Sequence, residues 1–249
     1  MDLLQYDASP YLAEFPMSLL TIILMFAGPV NDLPPASDLL DQTIAWHDPD
    51  NLWPTFNHTL QITETRPKGR DRKTQITLNV KAGNFVYSME DGQDKIFKSH
   101  VDGACKATLN GSSEFSEELS KKHRMSCEQI KWYQNYYLYM WGLPMKLKDQ
   151  GTILDPIAQR GTFLEKEALI LKITYDPEVG GDIWYFYLDP KTKALLGCRF
   201  YHDESKNDGE YITFEGEYHL GSIRIPKTRA WYMNDDGDYL GSDSLTHHQ

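Results

Sequence analysis

The sequence predicts one mainly β domain: a largely antiparallel sheet with a few helices covering one of its faces. Three observations predict it. Apolar residues alternate with period two between residues 60 and 109 and again from Thr162 onward, short turn-forming stretches separate these runs at near-regular spacing, and the middle of the chain switches to helical period.

The first element is a helix. Ser37 is its expected N-cap, Asp38 follows, and Leu40, Ile44 and His47 fall at i, i+4 and i+7. It ends before Asp48-Pro49, because proline disfavours helical geometry in the residue ahead of it. Strand alternations come next: Leu60 and Ile62; Ile76, Leu78 and Val80; Phe85, Tyr87 and Met89; then Ile96 to Val101 and Lys106 to Leu109. Turns at 67–71, 82–84 and Asp91-Gly92 separate them. Residues 113–123 have helical spacing, with Phe115 and Leu119 at i, i+4, and place acids early and Lys121-Lys122 late, the order a helix dipole favours.

A second helix in this region opens on Ser126 with Gln129 three residues on, a capping-box pattern, and stops at Gly142 with Pro144 close behind. Ile130, Tyr133, Tyr137 and Trp141 form one apolar stripe; Trp132, Tyr136, Tyr139 and Met140 form another. A helix apolar most of the way round buries two faces. One suits a sheet, and the other suits more protein or a bound ligand. The second half returns to alternation through Leu169, Leu171, Ile173 and Tyr175; Trp184, Phe186 and Leu188; Leu196, Cys198 and Phe200; Ile212 and Phe214; Ile223 and Ile225. Ile183, Tyr185 and Tyr187 make the opposite face of one strand apolar too, which a sheet solvated on one side does not need.

Composition bounds the function. A 41% hydrophobic fraction argues against disorder and against a multispan membrane protein. The net charge is −11 with basic residues interleaved among acids, so no nucleic-acid footprint is present and no nucleic-acid partner is expected. Aromatic content is high, with 15 Tyr, 10 Phe and 6 Trp.

Residues 1–36 read as a signal peptide or extension with a linker, and residues 37–249 as a single β domain. The apolar run LLTIILMFA at 19–27 is too short to span a bilayer and fits a signal-peptide core. No Lys or Arg precedes Arg66 and no cleavage site is clean; Met17 as the true start would account for the missing basic leader. The alternative for this run is a buried or interfacial helix. The three cysteines, Cys105, Cys127 and Cys198, lack metal-ligand spacing, so no structural metal is expected. In an oxidising compartment Cys105 and Cys127 could pair, leaving Cys198 buried in a strand; three free thiols is the alternative.

The segments YLDPKTKALLGCRFY (187–201), NDGEYITFEGEY (207–218), IRIPKTRAWYMN (223–234) and YLGSD (239–243) resemble the C-terminal half of an uncharacterised family of exported bacterial proteins. WHDP (46–49) and GLPMKLKDQGT (142–152) also resemble it, so most of 37–245 is covered. In outline the many short strands with covering helices are similar to the periplasmic lipoprotein-carrier fold of LolA and LolB. That resemblance implies a curved, incomplete antiparallel barrel whose helices close a hydrophobic cavity. It supplies no catalytic residues.

Several motifs invite chemistry. His47-Asp48 beside Asp50 suggests a metal or acid/base site, although a helix end explains both residues. Gly241 to Leu245 superficially resembles an esterase block in the wrong order, and no GxSxG elbow occurs. Asn234 to Asp238 has the flavour of a calcium loop and reads better as a hairpin turn. Glu165 and Glu167 fit one solvated face of a strand. The expected function is therefore binding or carriage of an apolar ligand, a lipid or a lipoprotein acyl chain, in the periplasm. The expected lining is Trp132, Tyr136, Tyr137, Met140, Trp141, Trp184 and Phe186, with no cofactor, a monomeric state, and transient contact with the membrane or envelope proteins. The competing classes are a hydrolase using His47 and nearby carboxylates, and a structural or protein-binding envelope component whose concave face is filled by its own side chains.

Overall fold

A computed structural model describes residues 32–247; the apolar run at 19–27 lies outside the described residues. The first helix, α1 (Ala36–His47), is capped by Pro35, not by Ser37, whose hydroxyl bonds Asp38 instead. Proline has its φ already set and no N–H to leave unpaired, so the chain enters the helix there without a side-chain cap. α1 ends where Asp48-Pro49 predicts. The Asp48 carboxylate then accepts the backbone N–H groups of Leu52 and Trp53, both at 2.8 Å, and starts the next turn.

Five strands follow as an antiparallel meander: β1 (Asn57–Thr65), β2 (Arg72–Asn79), β3 (Asn84–Asp91), β4 (Asp94–Val101) and β5 (Ala104–Leu109). A short helix, α2 (Glu117–Lys122), begins later than the spacing from residue 113 predicts. Ser112 and Glu114 bond each other locally, and the Ser116 hydroxyl caps the helix by accepting the Leu119 N–H. The capping-box helix is α3 (Cys127–Trp141), with the Ser126 hydroxyl accepting the Gln129 N–H as expected.

The remaining strands are β6 (Thr152–Leu154), β7 (Gln159–Phe163), β8 (Lys166–Tyr175), β9 (Ile183–Leu188), β10 (Leu195–Tyr201), β11 (Glu210–Leu220), β12 (Ile223–Met233) and β13 (Tyr239–His247). Leu164 and Glu165 form the two-residue turn between β7 and β8, both with positive φ. Glu165 therefore does not share a strand face with Glu167. The Asn234–Asp238 segment is the turn between β12 and β13.

All thirteen strands join one curved antiparallel sheet in the order β5-β4-β3-β2-β1-β13-β12-β11-β10-β9-β8-β6, with β7 beside β8. β5 and β6 stand at opposite ends and do not pair, so the barrel stays incomplete. The junction between the two halves is β1 against β13, which brings Ile62 beside Leu245 and Glu64 beside Asp243.

α3 lies across the concave face and serves both halves. Ile130, Tyr137 and Trp141 enter a core with Leu60, Ile76, Phe85 and Leu245, while Met140 joins α1, Leu171, Ile173, Phe186 and Ile212. A small outer cluster forms on the convex face, where the Phe163 ring stacks on Tyr187 at 4.4 Å. Gly197 sits beneath it, and a Cβ there would collide with the Phe163 ring and the Ile212 carbonyl.

A disulfide joins Cys105 of β5 to Cys127 at the start of α3, with Cα atoms 5.4 Å apart. Cys198 is free and buried in β10. The disulfide closes a loop of 22 residues, so its main effect is to restrict the unfolded chain. Replacing both cysteines by alanine is expected to lower unfolding stability by about 3 kcal/mol, measured by denaturant titration of oxidised wild type against the variant.

Candidate functional site

The space directly beneath α3 is occupied. Tyr137, Met140, Trp141 and Phe186, all expected to line a ligand cavity, are between 0% and 4% exposed and pack against other side chains. The other three expected lining residues meet at the flank of the helix. Trp132, Tyr136 and Trp184 border a groove of about 520 Å³ between α3, the loop that follows it, and the ends of β8 and β9.

Tyr139 and Tyr175 complete the aromatic wall. Their hydroxyls are 2.5 Å apart, and Tyr139 meets Trp184 edge to face at 5.6 Å. Trp132 stacks on Tyr136 at 5.5 Å with an angle of 8° between the rings, and remains 50% exposed at the rim. Desolvation holds the Tyr136, Tyr139 and Tyr175 phenols well above the usual tyrosine range, so these groups remain neutral. Asn135, Gln150, Asp149 and Asp182 supply polar edges; Asp149 pairs with Lys146, and Asp182 accepts from the His202 Nδ1–H at 2.6 Å. A larger cavity, about 760 Å³, opens at the turn between α2 and α3. The residues around it are mostly of polar type, among them Lys121, Arg124, Ser126 and Gln129, and Trp132 is its one aromatic lining residue.

Beneath α3 the core also contains charge that the alternation pattern concealed. Glu64, Asp243 and Arg229 occupy adjacent positions on β1, β13 and β12, all facing the helix. Arg66 bridges the two acids, with nitrogens 3.2 Å from Glu64 and 3.4 Å from Asp243. Thr74 donates to Glu64 at 2.7 Å. Arg229 is 1% exposed; its guanidinium lies 3.7 Å from the centre of the Trp141 ring and donates one bond to the Pro226 carbonyl. Its Nε and Nη2 have no hydrogen-bond partner among the described residues. Burial lowers the Arg229 pKa to about 9, whereas desolvation and the neighbouring Glu64 raise that of Asp243 to about 6.

Lys98 is a second buried cation. Its ammonium lies 3.8 Å from the centre of the Tyr133 ring and 5.1 Å from that of Tyr87, and burial lowers its pKa to about 8. Gln134, one of the polar residues of α3, is also buried, its amide N–H donating to the Gly83 carbonyl and its Oε1 accepting from the His100 Nδ1–H at 2.7 Å. One sequence signal marks the charged residues. Each stands at the inward phase of its strand: Glu64 after Leu60 and Ile62, Lys98 after Ile96, Asp243 before Leu245.

His47 has a structural job. Its Nε2 accepts the Leu195 N–H at 3.1 Å, so the proton resides on Nδ1, which donates to the Arg224 carbonyl at 2.6 Å. Both ring nitrogens are engaged by backbone, and burial lowers the pKa to about 4. The Asp48 carboxylate is likewise bonded to backbone, and among the described residues no group of three or more His, Cys, Asp or Glu could hold a metal ion.

An open, curved antiparallel sheet with helices on its concave face defines the LolA-like fold, and solved structures carry the same likeness. A LolA superfamily protein from Nitrosomonas europaea superposes with a TM-score of 0.50 at 10% identity, over 87% of this chain and 94% of the other. A putative outer membrane lipoprotein-sorting protein domain from Vibrio parahaemolyticus gives 0.49 at 12% identity, over 86% and 92%. The chain belongs to the family described as a family of unknown function (DUF6503), which it matches over residues 19–248. No curated protein matches its sequence. Among the described residues no helix is long and apolar enough to cross a membrane.

Two pH effects follow from these burials. His47 is neutral in the fold and titrates near 6.5 when unfolded, so its contribution is complete above pH 6.5 and is lost as pH falls toward 4. The stability advantage of wild type over His47→Leu is expected to shrink by about 3 kcal/mol between pH 7.5 and pH 4, read by chemical denaturation. Asp243 has the opposite sign. Its raised pKa favours the fold below pH 3.8 and ceases to do so as pH rises through 6, so Asp243→Asn should gain about 3 kcal/mol on wild type between pH 3.5 and pH 7.5.

Proposed function

We propose that this protein binds the apolar part of a lipid or an acylated protein in the aromatic groove beside α3, and that it acts as an exported periplasmic carrier and not as an enzyme. The observation that carries the reading is the groove itself: five aromatic residues, Trp132, Tyr136, Tyr139, Tyr175 and Trp184, border a space of about 520 Å³. That volume lies within the roughly 300–1,000 Å³ of small-molecule sites, and aromatic and aliphatic residues (Leu138 and Val179 join the five rings) beside polar ones such as Asn135, Gln150 and Asp182 are how such sites hold an amphiphile. Each methylene buried there contributes about 0.8 kcal/mol, enough to hold a chain without covalent chemistry.

The LolA-like fold supports the same reading by analogy of architecture alone. The backbone engagement of both His47 nitrogens supports the non-catalytic part, because neither is free to move a proton. In this reading residues 1–36 are the export signal and linker, the protein works as a monomer, and its contacts with membrane or envelope proteins are transient. The packed interior beneath α3 favours a second reading, a protein-binding envelope component whose concave face is filled by its own residues.

Titration with a fluorescent fatty acid separates the two. The carrier reading expects saturable binding that Trp184→Ala weakens at least tenfold while the circular dichroism spectrum is unchanged. Absence of saturable binding, or equal affinity in wild type and variant, sinks it.

A further inference from the structure

We infer that the cavity at the turn between α2 and α3 takes the phosphate head of an amphiphile whose chain lies in the aromatic groove, and that Arg124 holds that head. The inference rests on the groove reading and adds the chemistry of the head. The cavity measures about 760 Å³, and Trp132 lines both it and the groove, so one side chain separates the two spaces. Tyr136, a groove residue, stacks on the Trp132 ring at 5.5 Å; Arg124, a cavity residue, lies over the same ring at 5.6 Å.

Arg124 stands where a side chain is costly. It follows the last turn of α2 with φ +53°, and the Met125 N–H beyond it donates to the Ser120 carbonyl at 2.9 Å. Helices closed by this bond usually place glycine at the left-handed residue, because a Cβ is strained there. Here an arginine holds the position. A strained conformation kept for a long cationic side chain points to a use for that side chain.

Charge supplies an independent observation. The other cations around the cavity each face an acid: Lys121 is 2.6 Å from Glu117, Lys122 and His123 face Asp94 at 3.9 and 3.8 Å, and Glu64 acts on the buried Lys98. Arg124 meets the Trp132 ring and the Tyr133 hydroxyl, and pairs with no carboxylate among the described residues. Glu118 and Glu128 stay outside the cavity lining. Arg124 also helps to lower the Lys98 pKa, after burial, so an anion beside it relieves repulsion between two cations. A guanidinium offers a phosphate two parallel N–H donors. The Ser126 hydroxyl, whose oxygen accepts the Gln129 N–H, keeps its own proton to give.

The test compares decyl phosphate, decyltrimethylammonium and an uncharged decyl glycoside, binding to the full chain in isothermal calorimetry below their micelle concentrations, with inorganic phosphate as a fourth probe. Decyl phosphate is expected to bind on the order of tenfold more tightly than the other two amphiphiles, as charge-assisted bonds to a guanidinium provide. Arg124→Gly and Arg124→Asn, two residues that suit the left-handed backbone, should bring the three affinities within about twofold of one another while the circular dichroism spectrum is unchanged. Trp184→Ala, which touches only the groove, should weaken all three and leave their ratio intact. Equal binding of the three amphiphiles to wild type overturns the head-group assignment and leaves the groove standing. So does a preference that survives both Arg124 variants. Inorganic phosphate binding as tightly as decyl phosphate marks a site for the free anion and overturns the joining of head and chain. Failure of all three amphiphiles to bind overturns the groove reading and this one together.

Discussion

Pairing of β1 with β13 is the constraint on which the architecture depends. It joins strands some 180 residues apart in the chain, with Ile62 beside Leu245 and Glu64 beside Asp243, and so turns two local meanders into one sheet. Each meander forms from neighbours in sequence and needs little loop closure. The seam closes a loop of nearly the whole described chain. α3 lies over this seam and contributes Tyr137 and Trp141 to one core and Met140 to the other, and the disulfide from β5 to Cys127 ties its beginning to the far edge of the sheet.

The seam is also where the core is least oily. A row of Glu64, Asp243 and Arg229 across three adjacent strands places charge beneath the helix, and Arg66 and Trp141 compensate it only in part. Buried ion pairs of this kind add little net stability, because desolvation offsets the attraction. They place charge under the middle of α3, whereas the aromatic groove lies at the flank of the helix. The positions of Trp132, Tyr136 and Trp184 at that flank, and of Tyr137, Met140 and Phe186 in the packed interior, follow from the same arrangement.

Much of the fold was legible in the sequence because the signals were local. Alternation and turns placed the strands, Ser126 with Gln129 placed the start of α3, and Asp48-Pro49 placed the end of α1. The boundaries that differ have local causes too. Pro35 displaced Ser37 as the cap of α1, the Ser112–Glu114 bonds delayed α2, and two residues with positive φ put Glu165 in a turn. The LolA-like outline was visible in the order of strands and helices, and the structural likeness confirms it.

The sequence by itself determined the class of fold, because hydrophobic period and turn chemistry act between near neighbours and are written along the chain. It also marked α3 as a helix with two faces to bury. Which aromatic residues fill the core and which line a groove was decided only by the tertiary structure. The same holds for the roles of Glu64, Arg229 and Asp243. Their alternation marks them as inward-facing, but their environment consists of side chains from strands that meet only when the sheet is assembled. The seam between β1 and β13 sets which charges become neighbours, and no local pattern encodes that.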